Sequence, residues 1–183
     1  MTVKETKLKG CFILEPKVFE DSRGYFFESF NQNKFNKLIG QNINFIQDNE
    51  SYSSKGVLRG LHYQRGEFAQ AKLVRVVKGT VLDIAVDIRK NSPTFGEYVT
   101  LELSEDNKQQ LFISRGFAHG FIVLSDAAVF SYKCDNFYNK ESEAGIIFND
   151  KALNIDWGIS EDALVISEKD KLLPTFENLF KLR

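Results

Sequence analysis

His62, Lys72 and Tyr132 are residues whose types could move protons. An imidazole accepts a proton near neutral pH, which makes His62 a candidate general base. Lys72 opens the stretch Lys72–Val77 and shares a face with Val74 and Val76. If that face points inward, its ammonium enters an apolar cavity and can stabilise negative charge that develops there. Tyr132 shares a face with Ala128 and Phe130, and its phenol could donate a proton from the side opposite the base. Each residue also has a purely structural reading. These are a hydrogen-bonded strand histidine, a strand-end lysine snorkelling to water, and a core tyrosine with a satisfied hydroxyl.

Arg23 and Arg59 each stand beside glycine, in Asp21-Ser22-Arg23-Gly24 and Arg59-Gly60. Glycine lets the backbone pass close to a ligand while the guanidinium forks onto a phosphate. Two solvated arginines at turns would produce the same pattern. Strict alternation puts Arg59 and His62 on opposite faces of one strand. If both touch one ligand, the strand must bend or bulge near Gly60. The two histidines, His62 and His119, fall in separate strands. A metal-binding barrel normally offers several histidines and a carboxylate at its mouth, so this pattern argues against a tightly held transition metal. Cys11 and Cys134 have neither metal spacing nor a disulfide framework and read as reduced thiols of a cytosolic protein.

The elements that must position these groups are mostly strands. From Lys72 onward the apolar period is two. In Val81–Ile88 the residues Leu82, Ile84, Val86 and Ile88 share one face, and Val81, Asp83, Ala85 and Asp87 the other. Glu97–Leu103, Gln110–Ser114, Gly120–Leu124 and Ala128–Lys133 read the same way. Turn-like pieces separate them at Lys78-Gly79, Asn91-Ser92-Pro93, Glu105-Asp106-Asn107 and Ser125-Asp126. Short helices are expected over Asn33–Ile39, from Ser160-Glu161-Asp162, and over Leu172–Leu182. The spacing predicts a mainly β domain, an antiparallel sandwich or barrel with small helices near the ends.

The chain of 183 residues is 43% hydrophobic and 27% charged, which suits one globular domain. A net charge of -1 supplies no bulk attraction to nucleic acid or membrane, so an anionic ligand needs a local basic cluster. The opening residues lack a signal-like apolar stretch, and no segment reads as a bilayer span; a cytoplasmic location is expected.

The run Gln47-Asp48-Asn49-Glu50-Ser51-Tyr52-Ser53-Ser54-Lys55 leads into Gly56-Val57-Leu58-Arg59-Gly60-Leu61-His62-Tyr63-Gln64. Together they resemble the signature of the dTDP-4-dehydrorhamnose 3,5-epimerases of deoxysugar synthesis. Asp21–Glu28, Lys72–Arg75, Gly116–Phe121 and Ser167–Asp170 match in the same order. The resemblance implies a cupin-type jelly roll over the single domain 1–183. It also implies a homodimer, a dTDP-sugar substrate, no metal and no organic cofactor. By the resemblance, His62 is the base, Asp170 the carboxylate that orients it, Tyr132 the acid, and Lys72 the cation near the 4-keto oxygen. His119 is implied beside the sugar. Arg23, Glu28, Gln47, Asp48, Asn49, Arg59, Glu143 and Lys169 match positions that contact the nucleotide diphosphate or sugar, and Tyr138 matches an aromatic stacked on thymine. The stretch roughly 1–30, with Arg23 and Glu28, is implied to reach into the partner's site. The resemblance thus implies inversion at C3 and C5 through an enolate. An epimerase acting at C3 alone would keep the same motifs, although Tyr132 leans toward the double reaction. A non-catalytic sugar-nucleotide-binding barrel would not need the His62, Lys72 and Tyr132 set, and two histidines disfavour a metal-dependent cupin oxygenase.

Overall fold

The computed structural model describes residues 1–181. The order is β1 (Thr2–Glu5), β2 (Cys11–Glu15), β3 (Val18–Asp21), β4 (Gly24–Phe27), α1 (Gln32–Ile39), β5 (Gln47–Ser54), β6 (Val57–Gln64), β7 (Lys72–Lys78), β8 (Thr80–Asp87), β9 (Tyr98–Ser104), β10 (Gln110–Ile113), β11 (Phe117–Val123), β12 (Ala127–Cys134), β13 (Glu143–Gly145), β14 (Val165–Ile166), α2 (Glu168–Lys171) and α3 (Phe176–Lys181). One sheet runs β1-β2-β10-β7-β12-β5, and a second runs β13-β6-β11-β8-β9 with β14 added beside β6. The two sheets form a sandwich rather than a closed barrel. The predicted strands are all present, with ends shifted by at most three residues. β11 starts three residues earlier than expected, at Phe117, and His119 lies in it, in a separate strand from His62 as expected.

Alternation decides what each sheet turns inward. Val74, Val76, Phe130, Phe121, Val81 and Ala85 meet in the core between the sheets. Leu73, on the other face of β7, packs outward against Phe35 and Ile39 of α1. That helix is capped by the Asn31 side chain, which accepts from the Lys34 amide, and ends at Gly40 with φ 67°. The opposite face of β8 does not meet solvent. Ile84 and Val86 lie under the C-terminal segment with Leu153 and Trp157. Both faces of this sheet are therefore buried, and the inward one carries Asp83 and Asp87.

Asp87 is fully buried. It accepts from Arg89 Nε and Nη2 at 2.8 and 2.6 Å and from the hydroxyls of Ser92 and Thr94 at 2.5 and 2.7 Å. Burial alone would raise its pKa, but these donors together pull it down to about 2. A carboxyl depressed in the fold stabilises it above the unfolded value, and that stability disappears as pH falls through the folded value. From 3.8 to about 2 the loss is about 2 kcal/mol. Unfolding titrations at pH 5 and pH 2.5 should show this decrement in the wild type and not in Asp87→Asn. Equal pH dependence of the two proteins would remove the assignment.

Two helix expectations are corrected. Ser160 begins only a single 3₁₀ turn, Glu161–Ala163, with no side-chain cap. The capped start lies later, at Ser167, whose side chain accepts from the Asp170 amide. The last helix begins at Phe176 rather than Leu172, because Pro174 cannot sit inside a helix and restricts the residue before it. Leu182, its expected end, lies outside the described residues. Among the described residues no helix is long and apolar enough to cross a membrane.

Candidate active site

A cleft of about 500 Å³ opens between the two sheets, lined by Arg59, His62, Lys72, His119, Tyr132 and Asp170 among others. A smaller hollow beside it, about 250 Å³, shares His62, Lys72 and Tyr132 and adds Gln47, Asn49, Tyr138 and Glu143. The sequence-derived candidates from six strands, the loop after β12 and the C-terminal segment thus converge on one region.

Arg59 and His62 do line the same cleft, and the register explains how. In the β11–β6 ladder His119 faces His62 and Phe121 faces Arg59, so three residues of β6 span two of β11. The extra residue is a bulge at Gly60, which reverses the alternation. Gly60 has φ 133°, and a Cβ there would sit 2.5 Å from Gly120 Cα and 2.9 Å from His119 O. Gly60→Ala is expected to cost about 3 kcal/mol, from backbone strain plus overpacking. A thermal melt of that variant within two degrees of the wild type would refute this reading of the bulge.

His62 Nε2 lies 2.7 Å from Asp170 Oδ1. With the carboxylate ionised, Nε2 carries the hydrogen and Nδ1 is left as the lone pair. Burial acts to raise the Asp170 pKa, but the imidazole hydrogen bond and the Gly60 amide bring it net below the usual carboxylate range. The second histidine is not isolated either. His119 Nε2 is 2.9 Å from Oδ2 of Asp83, whose side chain is fully buried. Sequence reasoning did not single out Asp83. The signal was there, a carboxylate in phase with the inward Val81 and Ala85.

Lys72 points inward with Val74 and Val76, which settles the choice left open between an inward lysine and one snorkelling to water. It forms no ion pair among the described residues, and its ammonium stands 5.7 Å from the centre of the Tyr132 ring. Burial draws its pKa down, opposed by Cys134, Asp83 and Glu143. Tyr132 packs on Phe130, with ring centres 6.1 Å apart. Its hydroxyl has no protein hydrogen bond among the described residues. Burial first, then Cys134 and Glu143 against Arg59, raise its pKa and keep the phenol protonated.

At the mouth, Tyr138 donates to Glu143 at 2.9 Å and Lys169 pairs with Glu143 at 2.6 Å. Gln47 accepts the Tyr138 amide and donates to Asn49. Three candidates lie elsewhere in this chain. Asp48 falls on the outer face of β5, out of phase with Gln47 and Asn49, and pairs with Lys133 at 2.9 Å. Glu28 pairs with Lys34. Arg23 is 89% exposed and bound to Asp21 at 2.6 Å, on the β3–β4 hairpin. Among the described residues that hairpin pairs only with itself, and it exposes Phe19, Tyr25 and Phe26. Of the stretch 1–30, β1 and β2 belong to the chain's own first sheet.

Histidine, lysine and tyrosine side chains drawn from two facing sheets line one cavity of a cupin-type fold, and the class is that of an isomerase. The chain belongs to the dTDP-4-dehydrorhamnose 3,5-epimerase family, whose model matches residues 5–178. It is 54% identical over 183 residues to the dTDP-4-dehydrorhamnose 3,5-epimerase of Escherichia coli (strain K12), covering 100% of this chain and 98% of that one. It superposes with a TM-score of 0.93 and 47% identity on the 3,5-epimerase of Legionella pneumophila Philadelphia 1 solved with dTDP-4-keto-L-rhamnose, covering 98% of this chain and 94% of that one. A 3′-monoepimerase from Streptomyces bikiniensis, solved with dTDP as a double mutant at one histidine and one tyrosine, is more distant. It shows 28% identity and a TM-score of 0.91, covering 100% of this chain and 90% of that one.

Proposed function

We infer that this chain converts dTDP-4-dehydro-6-deoxy-D-glucose to dTDP-4-dehydro-L-rhamnose by inverting C3 and C5. The observation that carries the reading is the placement of base and acid. His62 stands on β6 of one sheet and Tyr132 on β12 of the other, both lining one cleft. A sugar held between them is approached on opposite faces, as inversion requires. His62 Nδ1 takes the proton from the carbon beside the ketone, and the electron pair moves onto the carbonyl oxygen. Lys72 stabilises the enolate charge from β7. Tyr132 then returns a proton on the other face, and solvent restores both groups.

In this reading Arg59 and Lys169 serve the diphosphate, Tyr138 the thymine ring, and Gln47, Asn49, His119 and Glu143 the sugar and nucleoside. Arg23 and Glu28 act on a second copy of the chain, carried there by the exposed hairpin of a homodimer. Asp48 is left with the outer face. A tyrosine does not by itself separate double from single epimerases, since the monoepimerase above was studied through one. The preference for both carbons rests on the higher identity to 3,5-epimerases. Incubation with dTDP-4-keto-6-deoxyglucose in heavy water tests it. Deuterium at C3 and C5 of an inverted product is the expected result, and label at C3 alone would establish the single epimerase.

A further inference from the structure

The chain returns to β6 through its C-terminal segment. Val165 donates its amide to Gly56 O at 2.8 Å, and β14 pairs in parallel with β6, Val165 facing Val57 and Ile166 facing Leu58. The pairing stops where the bulge begins. There Asp170 takes over, with Oδ1 on His62 Nε2 and Oδ2 3.4 Å from the Gly60 amide. Asp170 sits on α2, a helix of four residues. So short a helix is not stable by itself, because each fixed residue gains too few bonds. What closes the turn is Ser167, whose Oγ accepts the Asp170 N–H at 3.1 Å while its carbonyl accepts the Lys171 N–H at 3.1 Å. Ser167 also faces the catalytic cleft.

We propose that Ser167 is a positioning residue for the base: its hydroxyl holds the turn that presents Asp170 to His62, and so selects the Nε2-protonated ring that leaves Nδ1 free. The inference rests on the reading of His62 as base. Without the cap the Asp170 amide loses its acceptor, the turn frays, and the carboxylate no longer bridges Gly60 and His62. Substrate contacts by Arg59 and Tyr138 lie on other elements and do not depend on that hydroxyl, so the larger defect belongs in turnover rather than in binding.

The test uses the full-length protein with Ser167→Ala, Ser167→Thr and His62→Asn assayed beside the wild type. Ser167→Ala should lower kcat about tenfold, a fraction of what a general base contributes, with KM within about twofold. The ring-nitrogen resonances of His62 should move from an Nε2-protonated pattern toward mixed tautomers. Ser167→Thr, which keeps the capping oxygen, should restore both. Unchanged kcat and resonances in Ser167→Ala overturn the proposal. So does a raised KM with kcat and resonances intact, which would make Ser167 a substrate contact. If Ser167→Ala fails to fold, Ser167→Gly decides, since glycine is tolerated at a cap but has no hydroxyl. Full activity of His62→Asn would instead sink the reading of the base.

Discussion

Replacement of His62 by asparagine is expected to lower turnover about 10²–10⁴-fold, the usual worth of a general base. Exchange of label at both C3 and C5 should fall together, because one imidazole serves both carbons. Affinity for dTDP should stay within about twofold, since the nucleotide is held by groups other than the imidazole. Asparagine can still donate to Asp170 and keep that carboxylate partnered, so the fold is not the cause of the loss. Lys72 and Tyr132 remain, and in this reading they serve as the group that stabilises the enolate and as the acid, so no second base is expected to take the proton. Heavy-water exchange followed by nuclear magnetic resonance, with dTDP binding by calorimetry, reads both halves. Wild-type exchange in the variant would show that another group removes the proton.

Tyr132→Phe separates removal of the proton from its return. The ring stays, and with it the packing on Phe130 and the contact with Lys72. Only the donor oxygen is lost. The base and the enolate-stabilising charge survive, so label should still wash out. Protonation on the far face should fail, most severely at C5. The product should be inverted at C3 alone, or the substrate should lose label without net inversion, with formation of the doubly inverted sugar down about 10²-fold or more. A packing tyrosine behaves otherwise. It would lose on the order of 1 kcal/mol if its hydroxyl were hydrogen-bonded, and less here, where no partner among the described residues holds it. Doubly inverted product at the wild-type rate, with an unchanged melt, would make Tyr132 a packing residue and place the acid elsewhere.

Much of this was legible in the sequence because a strand has a period of two. That period grouped Lys72 with Val74 and Val76, and Tyr132 with Ala128 and Phe130, but left open whether the face of Lys72 points inward. The same rule, applied strictly, sets Arg59 against His62, and only the bulge at Gly60 reconciles them. The glycine hinted at the bulge, but the clash with Gly120 that requires glycine is a property of two paired strands. Local pattern also could not reveal that both faces of β8 are buried. The cover comes from a C-terminal segment far along the chain, so the apolar face seen in the sequence is the outer one and the face with Asp83 is the core. Asp170 lies 108 residues from His62, and no spacing rule spans that distance; only the resemblance joined them. Alternation within Gln47-Asp48-Asn49 could have set Asp48 apart from its neighbours. The sequence by itself determined which side chains are chemically able and which strands carry them. Tertiary structure decided which of them meet, because contact between strands is set by register, bulges and the path of the returning chain, none of which is local.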